Sequence, residues 1–155
     1  ATVQAALGGA SRSITVDMSR TYLDWAGRNF DLNRLNQDRH QLVLHDCMTW
    51  LTRQRGKRVF DVVYVNPPTF SNSKSMGEAF SIDRDQGVLL GQALALVRPG
   101  GTLLFSTHAR RFTLDTAALE QSGAMIDIEE TTQRMVPFDF QQRSRAFRSW
   151  EIQVR

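Results

Sequence analysis

The sequence predicts an α/β fold: a doubly wound sheet, parallel for most of its strands. Three observations carry this reading. Short apolar runs rich in β-branched residues recur along the chain, and stretches with helical spacing separate them by short connections. The last two apolar runs lack a helix-length connection between them, so they are expected to pair antiparallel at the edge of an otherwise parallel sheet.

Residues 1–7 read as the tail of a helix, and Gly8-Gly9 as its stop. A first strand follows at residues 13–16. Ser19 is the expected N-cap of a helix running to about residue 32, with Tyr22, Leu23, Ala26 and Phe30 on one apolar face. Strands at 41–44, 59–65 and 101–106 then alternate with helices at 46–53, 84–97 and 114–121. Arg98-Pro99-Gly100-Gly101 reads as a helix stop and turn, because proline cannot continue the ladder and glycine tolerates left-handed torsions. The final strands are expected at 124–132 and 146–154, joined by an arginine-bearing loop between Arg134 and Arg145. No linker divides the chain, so residues 1–155 are expected to form a single domain.

The composition, 155 residues at 41% hydrophobic and 23% charged, suits one folded core and excludes a disordered or fibrous chain. No apolar run approaches the roughly 18 residues of a membrane helix, and no signal peptide opens the sequence, so a cytoplasmic protein without membrane contact is expected. Cys47 is the sole cysteine, which excludes an internal disulfide and a cysteine zinc cluster, and no metal is expected. The net charge of +3 arises from 17 Arg and 2 Lys against 16 acids. Guanidinium groups contact phosphates bidentately and stack on bases, so the arginine excess suits a nucleic-acid partner. Arg110 and Arg111 are adjacent, and Arg143, Arg145 and Arg148 crowd a short segment.

Ligands in such sheets bind outside the carboxyl ends of the strands. Asp17 stands at the first of these ends, where an acid accepts hydrogen bonds from both hydroxyls of a ribose; the plainer reading is an acid at a helix N-terminus. Asp46, between His45 and Cys47, stands at the second, where it is either an acceptor for an adenine amino group or a helix cap. The third end, Tyr64-Val65-Asn66-Pro67-Pro68-Thr69-Phe70, is the most specific feature of the chain. Two prolines fix the backbone and remove two donors, leaving the Asn66 side chain and nearby carbonyls for a ligand, while Phe70 offers a face for stacking. That set suits a nucleobase turned out of its helix; the plainer reading is a proline turn that ends a strand.

Asn66-Pro67-Pro68 after a buried strand resembles motif four of the class I S-adenosylmethionine-dependent methyltransferases. The longer run through Lys74, with Val16-Asp17-Met18-Ser19 and Tyr22 to Ala26 upstream, resembles the guanine-N7 half of the bifunctional bacterial large-subunit ribosomal RNA methyltransferases, and the likeness extends over essentially the whole chain. The resemblance implies a Rossmann-like sheet, S-adenosylmethionine as cofactor and large-subunit ribosomal RNA as substrate. It implies that Asp17 and Met18 hold the cofactor ribose, Asp46 and Cys47 the adenine, and Asn66, Pro67, Pro68 and Phe70 the methionine end and the target base. Lys74, Arg84, Arg110 and Arg111 become candidate phosphate contacts, and His108 and Asp85 stand beside them as a possible base and a helix-capping acid. Trp25, Trp50 and Trp150 are expected to be core or half-buried packing.

Two departures from the pattern bear on function. The resembled family more often has Asp before the double proline, whereas Asn is typical of amino-group methyltransferases, in which an aromatic follows immediately; here Thr69 intervenes, so N7 and an exocyclic amino nitrogen both stay open. No glycine-rich turn precedes Asp17, so the first strand and glycine loop are expected upstream on a longer parent chain. A cytosine-C5 enzyme is disfavoured, because Cys47 follows the wrong strand for a nucleophile beside the base. A nicotinamide oxidoreductase shares the ribose-binding acid but needs a proton-donor set that is absent here, and a non-catalytic RNA-binding module remains a rival on fold alone. Equilibrium dialysis is expected to show weak S-adenosylmethionine binding by the 155 residues alone. Tight binding would contradict the inferred need for an upstream loop.

Overall fold

The computed structural model describes residues 1–57, 59–71, 79–109, 111–136 and 147–155. They fall into two units, Ala1–Arg53 and Gln54–Arg155.

In the first unit, helix α1 (Thr2–Leu7) ends at Gly8, and Gly9 takes a positive φ of 101° before the chain enters β1 (Ser13–Asp17). The Ser19 hydroxyl accepts from the Tyr22 amide at 3.3 Å, and this cap starts α2 (Arg20–Leu32). Leu23 and Phe30 are buried on the inner face of α2, as their spacing predicts. Tyr22 departs from that face at 61% exposed, because i and i+1 positions on a helix point about 100° apart and Leu23 already takes the inward direction. Trp25 likewise lies outside the core, 58% exposed, with its ring 6.2 Å from that of Tyr22. Strand β2 (His40–Leu44) pairs parallel with β1, and α3 (Cys47–Gln54) follows. Buried His40 is tied to Ser13 Oγ through Nδ1 at 2.9 Å.

The second unit is built on a four-stranded sheet in the order β3-β6-β8-β7. Its strands are β3 (Phe60–Val65), β6 (Val97–Thr107), β7 (Ile126–Glu130) and β8 (Arg148–Val154). Strands β3 and β6 run parallel, whereas β8 is antiparallel to both β6 and β7. The last two strands thus form the expected antiparallel pair, with β8 seated between β6 and β7. Beyond β3, the short strands β4 (Phe70–Ser71) and β5 (Phe80–Ser81) pair antiparallel, a ladder that the sequence reading had as loop. Helix α4 (Ile82–Leu94) starts two residues before its expected position, and buries Leu89, Leu90, Ala93 and Leu94. The short helices α5 (Thr116–Glu120) and α6 (Thr132–Met135) also belong to this unit. Buried Gln86 fastens α4 to the segment before α5, donating to the Thr113 carbonyl and accepting from the Asp115 amide. Phe105 and Trp150 stack at 5.3 Å in the core, and Phe112 meets both rings.

Arg98-Pro99-Gly100-Gly101 is an irregularity inside β6, and the expected free turn does not form. Phe60 pairs with Val97 and Val62 with Thr102, so four residues on β6 oppose one on β3. Gly100 supplies the positive φ of 78° that this bulge needs. Gly101 lies so close to its neighbours that a Cβ there would sit 2.7 Å from the Asp61 carbonyl oxygen and 2.8 Å from Val97 Cγ1. Among the described residues, β1 pairs only with β2, and β3 pairs only with β6, so each has one free edge. No helix of the described residues is long and apolar enough to cross a membrane.

Gly101→Ala is expected to lower stability by about 1–3 kcal/mol through this overlap. Gly91→Ala, in α4 with nothing within 4 Å of an added Cβ, is expected to raise it by roughly 0.5–1 kcal/mol. Urea unfolding of the two variants, read by circular dichroism, checks the opposite signs.

Candidate functional site

In the first unit the parallel register sets Asp17 opposite Leu44, so the two carboxyl ends lie side by side. The His45 amide donates to the Asp17 carbonyl at 3.1 Å, which continues the ladder one residue past β2. One Asp17 carboxylate oxygen, Oδ1, accepts from the Ser19 amide at 2.7 Å and closes a tight turn into α2. Asp46 Oδ1 caps α3 by accepting from the Thr49 amide at 2.8 Å. Both plain readings of these acids are therefore realised. Each nevertheless engages one oxygen in its turn, and the Oδ2 atoms accept no hydrogen bond among the described residues. Met18 is 47% exposed beside them. His45 is oriented from both sides, by the Asp46 carbonyl at Nδ1 and by the Arg53 guanidinium at Nε2, which makes Nδ1 the protonated nitrogen of the neutral ring.

Cys47 joins this group. As a residue it is exposed, yet its sulfur turns back onto the Val16 carbonyl at 3.4 Å. Loss of water around the sulfur, followed by the nearby Asp17 and Asp46, pushes its thiol from 9.0 up to about 11. The side chain is therefore a neutral S–H near pH 7, unsuited to nucleophilic attack.

In the second unit, Val65 pairs with Phe105, and the Asn66-Pro67-Pro68 loop leaves the sheet at the carboxyl end of β3. Asn66 and Pro68 are exposed, Pro67 is half-buried, and Phe70 is 57% exposed at the start of β4. The Asn66 amide forms no hydrogen bond among the described residues, so its polar atoms face outward uncommitted. The Thr69 carbonyl accepts from the Ile82 amide at 3.2 Å and ties the loop to the head of α4.

The second unit also holds an open cavity of about 210 Å³, with Tyr64, Ser106, Phe147, Ser149 and Trp150 among its lining residues. Of its polar members, the sequence pattern reaches Tyr64 through the proline-loop run, and Ser106 and Ser149 differ in how legible they are. Ser106 stands at the carboxyl end of β6, where strand-end inspection points to it. Ser149 lies near the amino end of an antiparallel strand, which that rule does not reach.

The candidate phosphate contacts divide. Arg84 is turned onto Asp85, with Nε 2.7 Å from Oδ1, and also donates to the Ala79 carbonyl at 2.5 Å. The Arg84 hydrogen bond holds the Asp85 carboxyl below its usual range, and the second oxygen of Asp85 accepts from the Ser81 amide at the head of α4. Arg111 is exposed. Lys74, Arg110, Arg143 and Arg145 lie outside the described residues. Arg148 has a packing role: it pairs with Glu130 at 2.7 Å, donates to the Phe112 carbonyl and lies 4.9 Å over the Trp150 ring. The His108 ring tilts against Phe147 at 5.7 Å.

Residues 1–139 match the family described as S-adenosylmethionine-dependent methyltransferase. The chain belongs to that family. It is 42% identical over 152 residues to a ribosomal RNA large subunit methyltransferase K/L from Shewanella pealeana, covering 98% of this chain and 21% of that protein. It is 46% identical over 153 residues to the protein of the same name from Methylococcus capsulatus, with 98% and 20% covered. The chain thus spans about a fifth of the length of these relatives. Among solved structures, SMU.776 complexed with SAH superposes with a TM-score of 0.75 at 23% identity, over 97% of this chain and 41% of that one. The SAM-dependent methyltransferase from Agrobacterium tumefaciens gives 0.72 at 18% identity, with 99% and 53% covered. At these identities the structural likeness shows the α/β fold.

Alkylation of Cys47 by iodoacetamide checks its environment. A thiol raised by two pH units carries about a hundredfold less thiolate at pH 8, so labelling of the folded chain is expected to be slower than in urea by that factor and to rise about tenfold per pH unit. Between pH 9 and 11 the folded state keeps a proton that the unfolded state releases, so this group lowers stability as pH rises through that window. Rapid labelling at pH 7 would contradict the assigned environment.

Proposed function

We propose that this chain is the cofactor- and base-binding part of an enzyme that transfers the methyl group of S-adenosylmethionine to N7 of a guanine in large-subunit ribosomal RNA. The observation that carries the reading is the Asn66-Pro67-Pro68 loop: a rigid turn at a strand end with an uncommitted amide, followed by an exposed Phe70. The relatives named as ribosomal RNA large subunit methyltransferases support the substrate class.

The residues of the first unit fit the adenosyl half of the cofactor. In this reading Asp17 Oδ2 accepts from ribose hydroxyls and Asp46 Oδ2 from an adenine amino group, while the neutral thiol of Cys47 borders the ring without adding a third negative charge. When bound, the cofactor supplies a methyl group made electrophilic by its sulfonium. The work left to the protein is orientation, because an in-line displacement gains most from holding donor and acceptor in register. Guanine N7 presents a free lone pair and needs no base to expose it. In this reading Asn66 holds the polar edge of the base, Phe70 stacks on its face, and the two prolines keep both in place. The exposed Arg111 is a phosphate contact; Lys74 and Arg110 are assigned the same role on sequence alone, and Arg84 acts first as an anchor for Asp85.

One feature supports a second reading, in which the acceptor is an exocyclic amino group. Asn66 stands where an acid is more usual in the resembled family, and its amide oxygen accepts from an NH2 as readily as from a ring N–H. Methyl transfer from radiolabelled S-adenosylmethionine to unmodified large-subunit ribosomal RNA, by the full-length gene product, separates the two after nucleoside analysis. Label is expected in 7-methylguanosine. Asp17→Ala is expected to weaken cofactor binding by about tenfold or more through the lost ribose contacts. Label in an amino-methylated base would move the enzyme to the second reading, and cofactor binding without transfer would favour a non-catalytic RNA-binding role.

A further inference from the structure

The exposed ring of Phe70 stands on a slender support. Strand β4 has two residues, and its ladder with β5 consists of Phe70 opposite Ser81 and Ser71 opposite Phe80. A ladder this short has little stability of its own, so its geometry is set by whatever anchors β5. The same register brings Thr69 opposite Ile82, where the Ile82 amide donates to the Thr69 carbonyl. Hydrogen-bonded and non-hydrogen-bonded pairs alternate along antiparallel strands, so Phe70 and Ser81 form the next, non-hydrogen-bonded pair. The Ser81 amide therefore points away from β4.

That amide is captured from behind. Asp85 Oδ2 accepts from it at 2.9 Å. The Arg84 guanidinium takes both oxygens of the same carboxylate, with Nε 2.7 Å from Oδ1 and Nη2 2.9 Å from Oδ2, and Nη2 also donates to the Ala79 carbonyl just before β5. One guanidinium thus joins the residue before β5 to the first turn of α4, and the carboxylate joins that turn to Ser81 inside the strand. Phe80 and Ile82 are buried and fix the inner side of the same segment. The Arg84 hydrogen bond keeps the Asp85 carboxyl below its usual range, so the bridge stays charged at neutral pH.

We propose that Arg84 and Asp85 are positioning residues for the Phe70 ring: acting through Ser81 and the β4–β5 ladder, they set the height and tilt of its stacking face. The proposal rests on the RNA-methylating reading above and gives Arg84 a task other than a phosphate contact. A ring 57% exposed takes little direction from packing, so its direction comes from its backbone. Misplacement of a positioning group by about 1 Å costs on the order of a hundredfold in rate where the reaction depends on register.

The test uses the full-length gene product with Phe70 replaced by 4-fluorophenylalanine, whose fluorine resonance reports the surroundings of the ring without any RNA. Asp85→Ala and Arg84→Gln are each expected to shift that resonance. Arg84→Gln leaves the Asp85–Ser81 hydrogen bond in place, so it reports even if Asp85→Ala is too unstable to fold. Asp127→Ala, which removes the ion pair with Arg155 on β7, is expected to leave the resonance where it is. In methyl transfer to ribosomal RNA, each of the first two variants is expected to lower kcat/KM for the RNA about tenfold, with the KM for S-adenosylmethionine unchanged. Combined with Phe70→Leu, either is expected to be no worse than Phe70→Leu alone, whereas a merely structural role adds its loss to that of Phe70. A resonance that neither variant moves overturns the proposal, and so do additive losses in an enzyme that methylates the RNA. A shifted resonance in an enzyme that transfers no methyl group to ribosomal RNA keeps the support of Phe70 and rejects the RNA-methylating role.

Discussion

Two parallel registers decide where chemistry is possible in this chain. Asp17 opposite Leu44 brings the exits of β1 and β2 together, and Val65 opposite Phe105 does the same for β3 and β6. A slip of one residue in either ladder would turn every side chain at that exit to the opposite face. Asp46 would then part from Asp17, and Tyr64 from Ser106. The His45 amide on the Asp17 carbonyl, one residue past β2, and the hydrogen-bonded Tyr64 and Ser106 hydroxyls, between β3 and β6, lock the registers where they matter.

The acids at these exits hold their own turns. A carboxylate has two oxygens, and Asp17 and Asp46 each spend one on a turn or cap, which fixes the direction of the other at no added entropy cost. Cys47 keeps its proton chiefly because its sulfur is withdrawn from water, and the nearby Asp17 and Asp46 add to that, so the trio carries two charges where three would repel. Arg84 and Asp85 form a comparable device in the second unit, where ion pair and helix-head hydrogen bond hold the segment entering α4.

Local signals made most of this organisation legible. Ser19 announced α2 through its side-chain chemistry, and the apolar runs marked β1, β2, β3 and β8 within a residue or two because β-branched and aromatic residues favour the extended, pleated backbone even where one face is exposed. The acids and the proline loop are proposed as site residues for a different reason: ligands in such sheets bind at strand ends. Other features are non-local. The Arg98–Gly101 bulge arises from the pairing of Val97 with Phe60, which lies far away in sequence, so the segment by itself reads as a turn. Tyr22 and Trp25 carry apolar bulk that predicts burial, but the inner face of α2 is filled by Leu23 and Phe30. The cavity floor combines a strand exit with the entrance of an antiparallel strand, a juxtaposition that only the β6–β8 ladder creates.

Strand β8 is last in the chain but interior in the sheet, with β6 on one side and β7 on the other. Synthesis therefore delivers both neighbours before the strand that joins them. Until residues 148–154 leave the ribosome, β6 and β7 each hold an open edge and the buried surfaces of Phe105 and Leu103 lack their cover. The nascent polypeptide is exposed to mispairing through that interval, and the last strand to arrive acts as the closing stave of the sheet.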